Sequence, residues 1–150
     1  MFVKRYDSSW DGEIYSLFVR SVHESCIGYY TPSQLDAWAP EGGDPGLWAR
    51  GLAASKTLLA VDNGCLLGFG SILAGNISRL FVDPDCQGRG IGKLLLSSLE
   101  GREGGEFCVY ASKQSKRFFE RHGYKEEMEH YSFYGEEALL TYMMVKEETD

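Results

Sequence analysis

The chain has 150 residues, of which 43% are hydrophobic and 25% are charged. This composition is typical of one globular domain and excludes disordered, collagen-like and coiled-coil proteins. The net charge of −7 opposes a nucleic-acid partner, and Asp62 and Asn63 interrupt the longest apolar run, so no membrane span or membrane partner is predicted. The first residues lack the order of a signal peptide, and we expect a single domain over residues 1–150 in the cytoplasm.

The first third of the chain predicts one strand followed by helices. Phe2–Tyr6 has the composition of a strand, and either Ser8 or Ser9 can cap a helix with an apolar stripe. Thr31–Gln34 (TPSQ) combines an N-cap threonine, a proline at the first helical position and a capping-box glutamine. Asp44-Pro45 repeats this start signal for a short helix.

The middle of the chain then changes to strands. Thr57–Val61 and Cys65–Leu73 are apolar runs joined by a turn that contains Asn63-Gly64, a pair that strongly indicates a β-hairpin because both residues tolerate positive φ. Asn76–Val82 is predicted as the next strand.

The remaining elements alternate between helices and strands. Gly90–Glu100 predicts a helix, Phe107–Tyr110 a short strand, and Gln114–His122 a helix that Gly123 ends. Three strands are predicted to close the chain: Tyr124–Glu129, Tyr131–Tyr134 and Ala138–Lys146. The order predicts a mixed α/β fold, in which one parallel strand–helix–strand crossover interrupts a mostly antiparallel sheet flanked by helices.

The spacing of cysteines and histidines argues against a metal site. The cysteines are Cys26, Cys65, Cys86 and Cys108, and no two are closer than 21 residues. The three histidines form no close ligand pair, so we expect free thiols and no bound metal.

The glycine-rich turn between the third strand of this middle region and the following helix carries the strongest functional signal. In Gln87–Gly92 (QGRGIG), three alternating glycines can expose successive N–H groups at a helix N-terminus, where the helix dipole attracts an anion. Arg89 and Lys93 add positive charge, so a diphosphate is the natural ligand. The spacing matches neither the dinucleotide fingerprint nor the P-loop. A tight turn without a ligand is the alternative interpretation.

These residues resemble a known superfamily. Gln87–Gly92 matches the Q/R-x-x-G-x-G/A signature of the GNAT N-acetyltransferases, and Ser112–Tyr124 (SKQSKRFFERHGY) is similar to the second motif of that family. The resemblance covers residues 57–146, the cofactor-binding core. Residues 30–40 look like an uncharacterised bacterial branch, which would place the acceptor side in the N-terminal helices over residues 8–53.

The resemblance implies acetyl-CoA as co-substrate and assigns residues to it. Its pantetheine arm would pair with the third strand of the middle region, with a thioester contact from the N–H of Phe81 or Val82, and its diphosphate would bind the glycine turn. The implied cofactor residues are Leu80, Phe81, Val82, Gln87, Gly88, Arg89, Gly90, Ile91, Gly92, Lys93, Ser112, Ser115 and Phe118.

The catalytic groups are less clearly implied. Many family members have tyrosine before the motif glutamate, where it protonates the leaving thiolate, but this chain has Phe119. The substitutes are Tyr30, Tyr110, Tyr29 or water, and His23 or Glu24 is a candidate base. Tyr29, Tyr30 and Trp38 are the implied substrate-binding residues; the alternative is that they only pack the helices onto the sheet.

The sequence therefore predicts an N-acetyltransferase that moves an acetyl group from acetyl-CoA to a primary amine of a small molecule or peptide by direct attack. The acidic terminal regions favour a cationic acceptor. The alternatives are a non-catalytic acyl-CoA-binding or sensing module and a structural domain whose turn binds nothing. Aromatic residues of the last strands are expected to face solvent and permit a homodimer: Tyr131, Phe133, Tyr134 and Tyr142.

Overall fold

The computed structural model describes residues 1–101 and 105–147, which form one sheet with helices on both faces. The strands are β1 (Phe2–Arg5), β2 (Lys56–Asp62), β3 (Cys65–Leu73), β4 (Asn76–Val82), β5 (Glu106–Ser112), β6 (Lys125–Tyr134) and β7 (Glu137–Glu147). The helices are α1 (Asp11–Ser25), α2 (Pro32–Trp38), α3 (Pro45–Trp48), α4 (Arg50–Ala53), α5 (Ile91–Glu100) and α6 (Lys116–Arg121). None of these helices is long and apolar enough to cross a lipid bilayer.

The strand order across the sheet is β1-β2-β3-β4-β5-β7-β6. Neighbouring strands are antiparallel except β4 and β5, which are parallel and connected through α5. The predicted mixed α/β class with a single parallel crossover is therefore confirmed.

The parallel pair opens soon after it forms. Only Asn76↔Cys108 and Ile77↔Val109 are in register, although β4 continues to Val82 and β5 to Ser112. The two strands therefore separate at the centre of the sheet and leave a cleft between their carboxyl ends.

The sheet separates two hydrophobic cores. On one face, α1 and α2 pack around buried residues that include Ile14, Phe18 and Phe69. On the other face, α5 and α6 pack around residues that include Leu95 and Phe119. Because each core ties its helices to the sheet, the helices on both faces hold the cleft in place.

Several local signals in the sequence give the predicted structure. The Thr31–Gln34 capping box opens α2, and the hairpin turn has positive φ at Asn63 (51°) and Gly64 (77°). Gly123 follows α6 with φ of 93°, a conformation that glycine adopts without steric cost.

Other boundaries differ from the prediction. Neither Ser8 nor Ser9 caps α1; the Asp7 carboxylate accepts a hydrogen bond of 2.9 Å from the N–H of Ser9 and starts a short 3₁₀ turn before the helix. The predicted break near His130 is wrong, because His130 pairs with Thr141 in a continuous ladder. The helix expected after Asp44-Pro45 is divided into α3 and α4.

The edge strand β6 bears part of the expected aromatic surface. Tyr131 and Phe133 are 55% and 72% exposed. Tyr134 and Tyr142 are only partly exposed and pack against the two cores, which corrects the expectation that all four face solvent. A homodimer through β6 stays a prediction.

Candidate functional site

A cavity of about 980 Å³ occupies the cleft where β4 and β5 separate. The separated strand ends and the turn between β4 and α5 line it, together with α6 and side chains from α1, α2 and α3. The cavity therefore joins the glycine-rich turn to the aromatic helical face that the sequence predicts as the acceptor side.

The glycine-rich turn presents free backbone donors to this cavity. Gly88 and Gly90 both have φ of 78°, a left-handed conformation that glycine adopts readily. Gly90 is the N-cap of α5 and provides no side-chain cap. No hydrogen bond within the described residues uses the N–H groups of Gln87 through Gly92, so they remain available to an anion.

The permanently charged side chains among the described lining residues of the cavity are all cations. Four permanent cations line it, and none of the described lining residues is Asp or Glu. These cations are Arg79, Lys93, Arg117 and Arg121. In a protein with a net charge of −7, this concentration of positive charge favours an anionic ligand.

An ion pair fixes the turn against α1. The Arg20 guanidinium donates two hydrogen bonds of 3.0 Å to the Asp83 carboxylate, and these bonds lower the pKa of Asp83 below its usual value of 3.8. The Ser21 hydroxyl donates to the Val82 carbonyl at 3.2 Å. Helix α1 therefore positions the end of β4 from which the turn begins.

The backbone of β4 has one edge paired and one edge open. The Asp83 N–H donates to the Leu67 carbonyl at 2.8 Å. Two residues before Asp83, Phe81 lies opposite Phe69 in the same ladder, so the N–H of Phe81 also points toward β3. Because successive backbone groups of a strand point to opposite sides, the N–H groups of Leu80 and Val82 point away from β3 and into the cleft. Of the two N–H groups predicted to contact the thioester, that of Val82 faces the cleft and that of Phe81 faces β3.

All of the predicted cofactor residues except Arg89 line the cavity. Arg89 lies in the turn but is exposed outside the cavity wall. Ser112 and Ser115 exchange N–H to hydroxyl hydrogen bonds of 3.1 Å, so they close the turn that precedes α6; Ser115 is the N-cap residue of that helix but makes no side-chain cap bond. Their contact with a cofactor stays a prediction.

A glycine allows α5 and α6 to approach each other. A Cβ atom placed on Gly92 would lie 3.1 Å from Phe118 Cε1, so any larger residue would crowd that ring. Phe119 is 3% exposed and packs edge-on against Tyr124, with ring centroids 5.3 Å apart. Phe119, at the family tyrosine position, is therefore a core residue.

The structure separates the three predicted catalytic residues. Tyr30 lines the cavity, but its hydroxyl donates to the Leu140 carbonyl at 2.6 Å and accepts from the Lys113 N–H at 3.0 Å, and burial raises the pKa of Tyr30 to about 12. His23 is not a lining residue; its Nε2 lies 2.7 Å from the Ala39 carbonyl oxygen. Tyr110 lines the cavity and is 44% exposed.

The predicted substrate residues are also separated. Trp38 lines the cavity and stacks on Tyr134, with ring centroids 6.2 Å apart. Tyr29 is 48% exposed and lies outside the lining, although its carbonyl accepts a hydrogen bond of 3.4 Å from Lys113 Nζ. Of the three, Tyr30 and Trp38 therefore face the cavity.

Sequence reasoning missed Arg79, Trp48 and Tyr134 as members of one cluster. The Arg79 guanidinium lies over the Trp48 ring at 4.8 Å from its centroid, and burial lowers the pKa of Arg79. The Tyr134 ring lines the same part of the cavity, and burial raises its pKa while the Arg79 charge lowers it. The available signal was a cationic residue inside an apolar strand that borders the glycine turn.

The described residues contain no group of three or more His, Cys, Asp or Glu that could hold a metal ion. Cys26, Cys65, Cys86 and Cys108 are free thiols.

Comparisons with known proteins agree with this geometry. A family model described as an acetyltransferase (GNAT) domain matches residues 26–146. The chain is 34% identical over 123 residues to the uncharacterized N-acetyltransferase YafP of Escherichia coli strain K12. The aligned region covers 82% of this chain and 80% of that protein.

Two solved structures show the similarity of fold. A GCN5-related N-acetyltransferase from Rhodopseudomonas palustris, also described as aminotransferase, class-II, superposes with a TM-score of 0.93 at 28% identity, covering 98% of this chain and 95% of that one. The PaiA N-acetyltransferase from Thermoplasma acidophilum, solved in complex with coenzyme A, superposes with a TM-score of 0.73 at 18% identity, covering 99% and 100%.

Proposed function

Because the chain belongs to the GNAT family of acetyltransferases, we propose that it transfers an acetyl group from acetyl-CoA to a primary amine of a small molecule or peptide by direct attack. The observation that carries the proposal is the row of free N–H groups from Gln87 to Gly92 at one end of the cleft. This row fits the diphosphate of coenzyme A, because a helix N-terminus with unpaired donors attracts phosphate oxygens.

Three cations support this placement of the diphosphate. Lys93 on α5 and Arg117 and Arg121 on α6 all line the cavity. Arg89 lies outside the lining but one residue from Gly90, so it adds long-range attraction. The bound coenzyme A of the PaiA protein supports the same cofactor here, since the two folds superpose over their whole length.

The open edge of β4 supports the placement of the pantetheine arm. The N–H groups of Leu80 and Val82 point into the cleft, so an extended amide chain can pair with them as an added strand. When bound, acetyl-CoA supplies an activated thioester carbonyl. The N–H of Val82 then stabilises the negative charge that develops on the carbonyl oxygen during attack by the amine.

Proton transfer in this site does not use a carboxylate of the cavity wall, because no Asp or Glu lines the described part of the cavity. The acceptor amine loses its proton to water that reaches the open cleft. Tyr110 is the tyrosine we assign to protonate the leaving thiolate, because it lines the cavity and its hydroxyl makes no hydrogen bond within the described chain. Tyr30 positions the cavity wall, and a role for His23 as base stays a prediction.

Calorimetry and a thiol-release assay test the proposal together. Acetyl-CoA should bind in calorimetry, and free coenzyme A should appear with at least one member of a panel of polyamines, amino acids, aminoglycosides and peptides. Lys93→Glu should weaken acetyl-CoA binding, whereas Lys4→Glu, the same charge change on β1 at the far edge of the sheet, should not. Binding without any amine-dependent thiol release would contradict the transfer reaction and favour the sensing alternative.

A further inference from the structure

Arg79 occupies an unusual place at the acceptor side of the cavity. In the β3–β4 ladder, Ser71 pairs with Arg79 and Ile72 with Ile77, so Ser78 is an extra residue in β4. Such a bulge re-aims neighbouring side chains, and the Arg79 guanidinium lies over Trp48 at 4.8 Å from the ring centroid.

The backbone of α4 lies at the outer edge of this guanidinium. A Cβ atom placed on Gly51 would lie 2.8 Å and 3.0 Å from the two terminal nitrogens of Arg79 but 3.4 Å from its Cζ, so the glycine faces the edge between those nitrogens. The indole ring covers one face of the planar group and the glycine limits its outer edge, so its orientation is fixed before any ligand arrives. Preorganisation of this kind lowers the entropic cost of binding.

Arg79 lacks an acidic partner within the described chain. No carboxylate is paired with it, and no Asp or Glu lines the cavity among residues 1–101 and 105–147. Arg20 differs, since it pairs with Asp83 at 3.0 Å. Burial of an unpaired charge is costly, and arginine stays protonated at any physiological pH.

The nitrogens of Arg79 are open to the cavity. No fully buried side-chain nitrogen or oxygen of the described residues lacks a hydrogen-bond partner. Since Arg79 makes no such bond, its nitrogens are not fully enclosed by protein, and Arg79 itself lines the cavity. A ligand in the cavity can therefore reach donors of Arg79 that the protein leaves without a partner.

The cofactor does not account for this cation. Lys93, Arg117 and Arg121 lie on the α5 and α6 side, where the free N–H groups are. Arg79 precedes Val82 by three residues, or about 10 Å along an extended strand, and faces α3 on the opposite side of the sheet. Phosphates bound at the glycine turn would be too far from Arg79 to contact its guanidinium.

We propose that the acceptor amine also carries a carboxylate group, which the Arg79 guanidinium binds; this rests on the function proposed above. With Gly51 at the edge between its terminal nitrogens, the guanidinium offers its Nε–H and the adjacent terminal N–H, two parallel donors that match the two oxygens of a carboxylate. The Tyr134 hydroxyl lies on the same wall and can add a third donor. Trp38 stacks on Tyr134 and provides apolar surface for the body of the acceptor.

This local charge and the overall charge act at different distances. The net charge of −7 attracts cations from solution, but the field of distant exposed charges is screened by salt. Among the described residues that line the cavity, Arg79 is the permanent charge that lies on the acceptor side. An amino acid or a peptide with a free carboxylate carries an amine for acetylation and a carboxylate for Arg79.

The first experiment measures carboxylate binding without catalysis. In protein labelled with ¹⁵N-arginine, the Arg79 Nε signal is assigned by its loss in Arg79→Lys, and acetate, propionate and glycine are titrated against acetamide, propionamide and glycinamide. The carboxylates should shift the Arg79 signal saturably and the carboxamides should not. Equal shifts, or no shift with any carboxylate, would overturn the proposal.

A glycine pair provides the matched control. Gly51→Ala places a methyl group where the guanidinium lies, so it should weaken the carboxylate-induced shift by about 10-fold or more in affinity. Gly12→Ala changes a position with no atom within 4 Å of the added Cβ and should leave the titration unchanged. Equal titrations in the two variants would contradict the assigned seat of the guanidinium.

The second experiment measures selectivity during turnover. Wild type should acetylate the free acids of matched amine pairs with kcat/KM about 10- to 100-fold above that for their amides, and Arg79→Gln should remove this preference while acetyl-CoA binding is retained. Transfer to acids and amides at equal rates would overturn the proposal and leave the acetyltransferase function intact. Absence of all transfer alongside a positive titration would reject the transfer reaction and not the carboxylate site.

Discussion

The variant Tyr30→Phe distinguishes a catalytic tyrosine from a structural one. Removal of the hydroxyl leaves the Leu140 carbonyl without the donor now at 2.6 Å and the Lys113 N–H without the acceptor at 3.0 Å. Each lost bond costs about 1 kcal/mol, so we expect the free energy of unfolding to fall by about 2 kcal/mol. For a chain of this length, that corresponds to a fall in Tm of about 4–8 °C.

The same variant should retain most of its activity. We expect kcat within about threefold of wild type when the assay temperature is well below the Tm, because the Tyr30 proton is committed to the Leu140 carbonyl. Loss of a general acid typically lowers kcat by about 10²- to 10⁴-fold. Thermal melting and the thiol-release assay therefore measure two effects that differ in kind.

Tyr110→Phe is the matched control. Tyr110 is 44% exposed and makes no hydroxyl bond within the described chain, so its stability should change by less than about 0.5 kcal/mol while kcat falls by about 100-fold. A Tyr30→Phe protein of unchanged Tm and 100-fold lower kcat would refute the structural assignment of Tyr30. Full activity of Tyr110→Phe would refute the assignment of Tyr110 as the acid.

Three further variants test the turn and the core. The pairing with Arg20 lowers the pKa of Asp83 below 3.8. The contribution of this ion pair to stability is therefore present above that value and is lost as pH falls through the folded-state pKa. In urea titrations, the difference in unfolding free energy between wild type and Arg20→Met should shrink from neutral to acid pH, and a constant difference would contradict the pairing. Arg89→Glu should weaken acetyl-CoA binding in calorimetry through long-range repulsion and leave the Tm unchanged. Arg5→Glu, on the edge strand β1, should change neither the affinity nor the Tm. Equal affinities of wild type, Arg89→Glu and Arg5→Glu would contradict the steering role. Leu95→Ala removes a side chain that is 0% exposed and should lower the unfolding free energy by about 2–5 kcal/mol, measured by denaturation; a loss below 1 kcal/mol would show that the α5 core is not packed as described.

Local signals predicted those parts of the fold that local chemistry determines. The Thr31–Gln34 capping box and the Asn63-Gly64 turn need only neighbouring residues, and both are present. The start of α1 was misassigned because Asp7 competes with two adjacent serines for the same role. Continuity of β6 through His130 depends on pairing with β7, which a single segment does not reveal.

The candidate site divides in the same way. Its phosphate end is contiguous in sequence, from Gln87 to Lys93, so a pattern of glycines and cations could be read directly. Its acceptor end combines Arg79, Trp48 and Tyr134 from β4, α3 and β6. No spacing rule connects residues so far apart in the chain, and only the tertiary packing shows them to be neighbours.

The early parting of β4 and β5 has a mechanical consequence. Only two residue pairs of β4 and β5 are in register, so the backbone ladder provides few hydrogen bonds between strands β1–β4 and strands β5–β7. Helix α2 and the residues just before it add contacts to the second group of strands. There Tyr30 reaches the Leu140 carbonyl at 2.6 Å and Gln34 reaches the Ala138 carbonyl at 3.0 Å. A ligand bound between the two strands would supply contacts that the backbone ladder lacks there. Ligand binding should therefore stiffen the sheet and slow amide exchange along both β4 and β5.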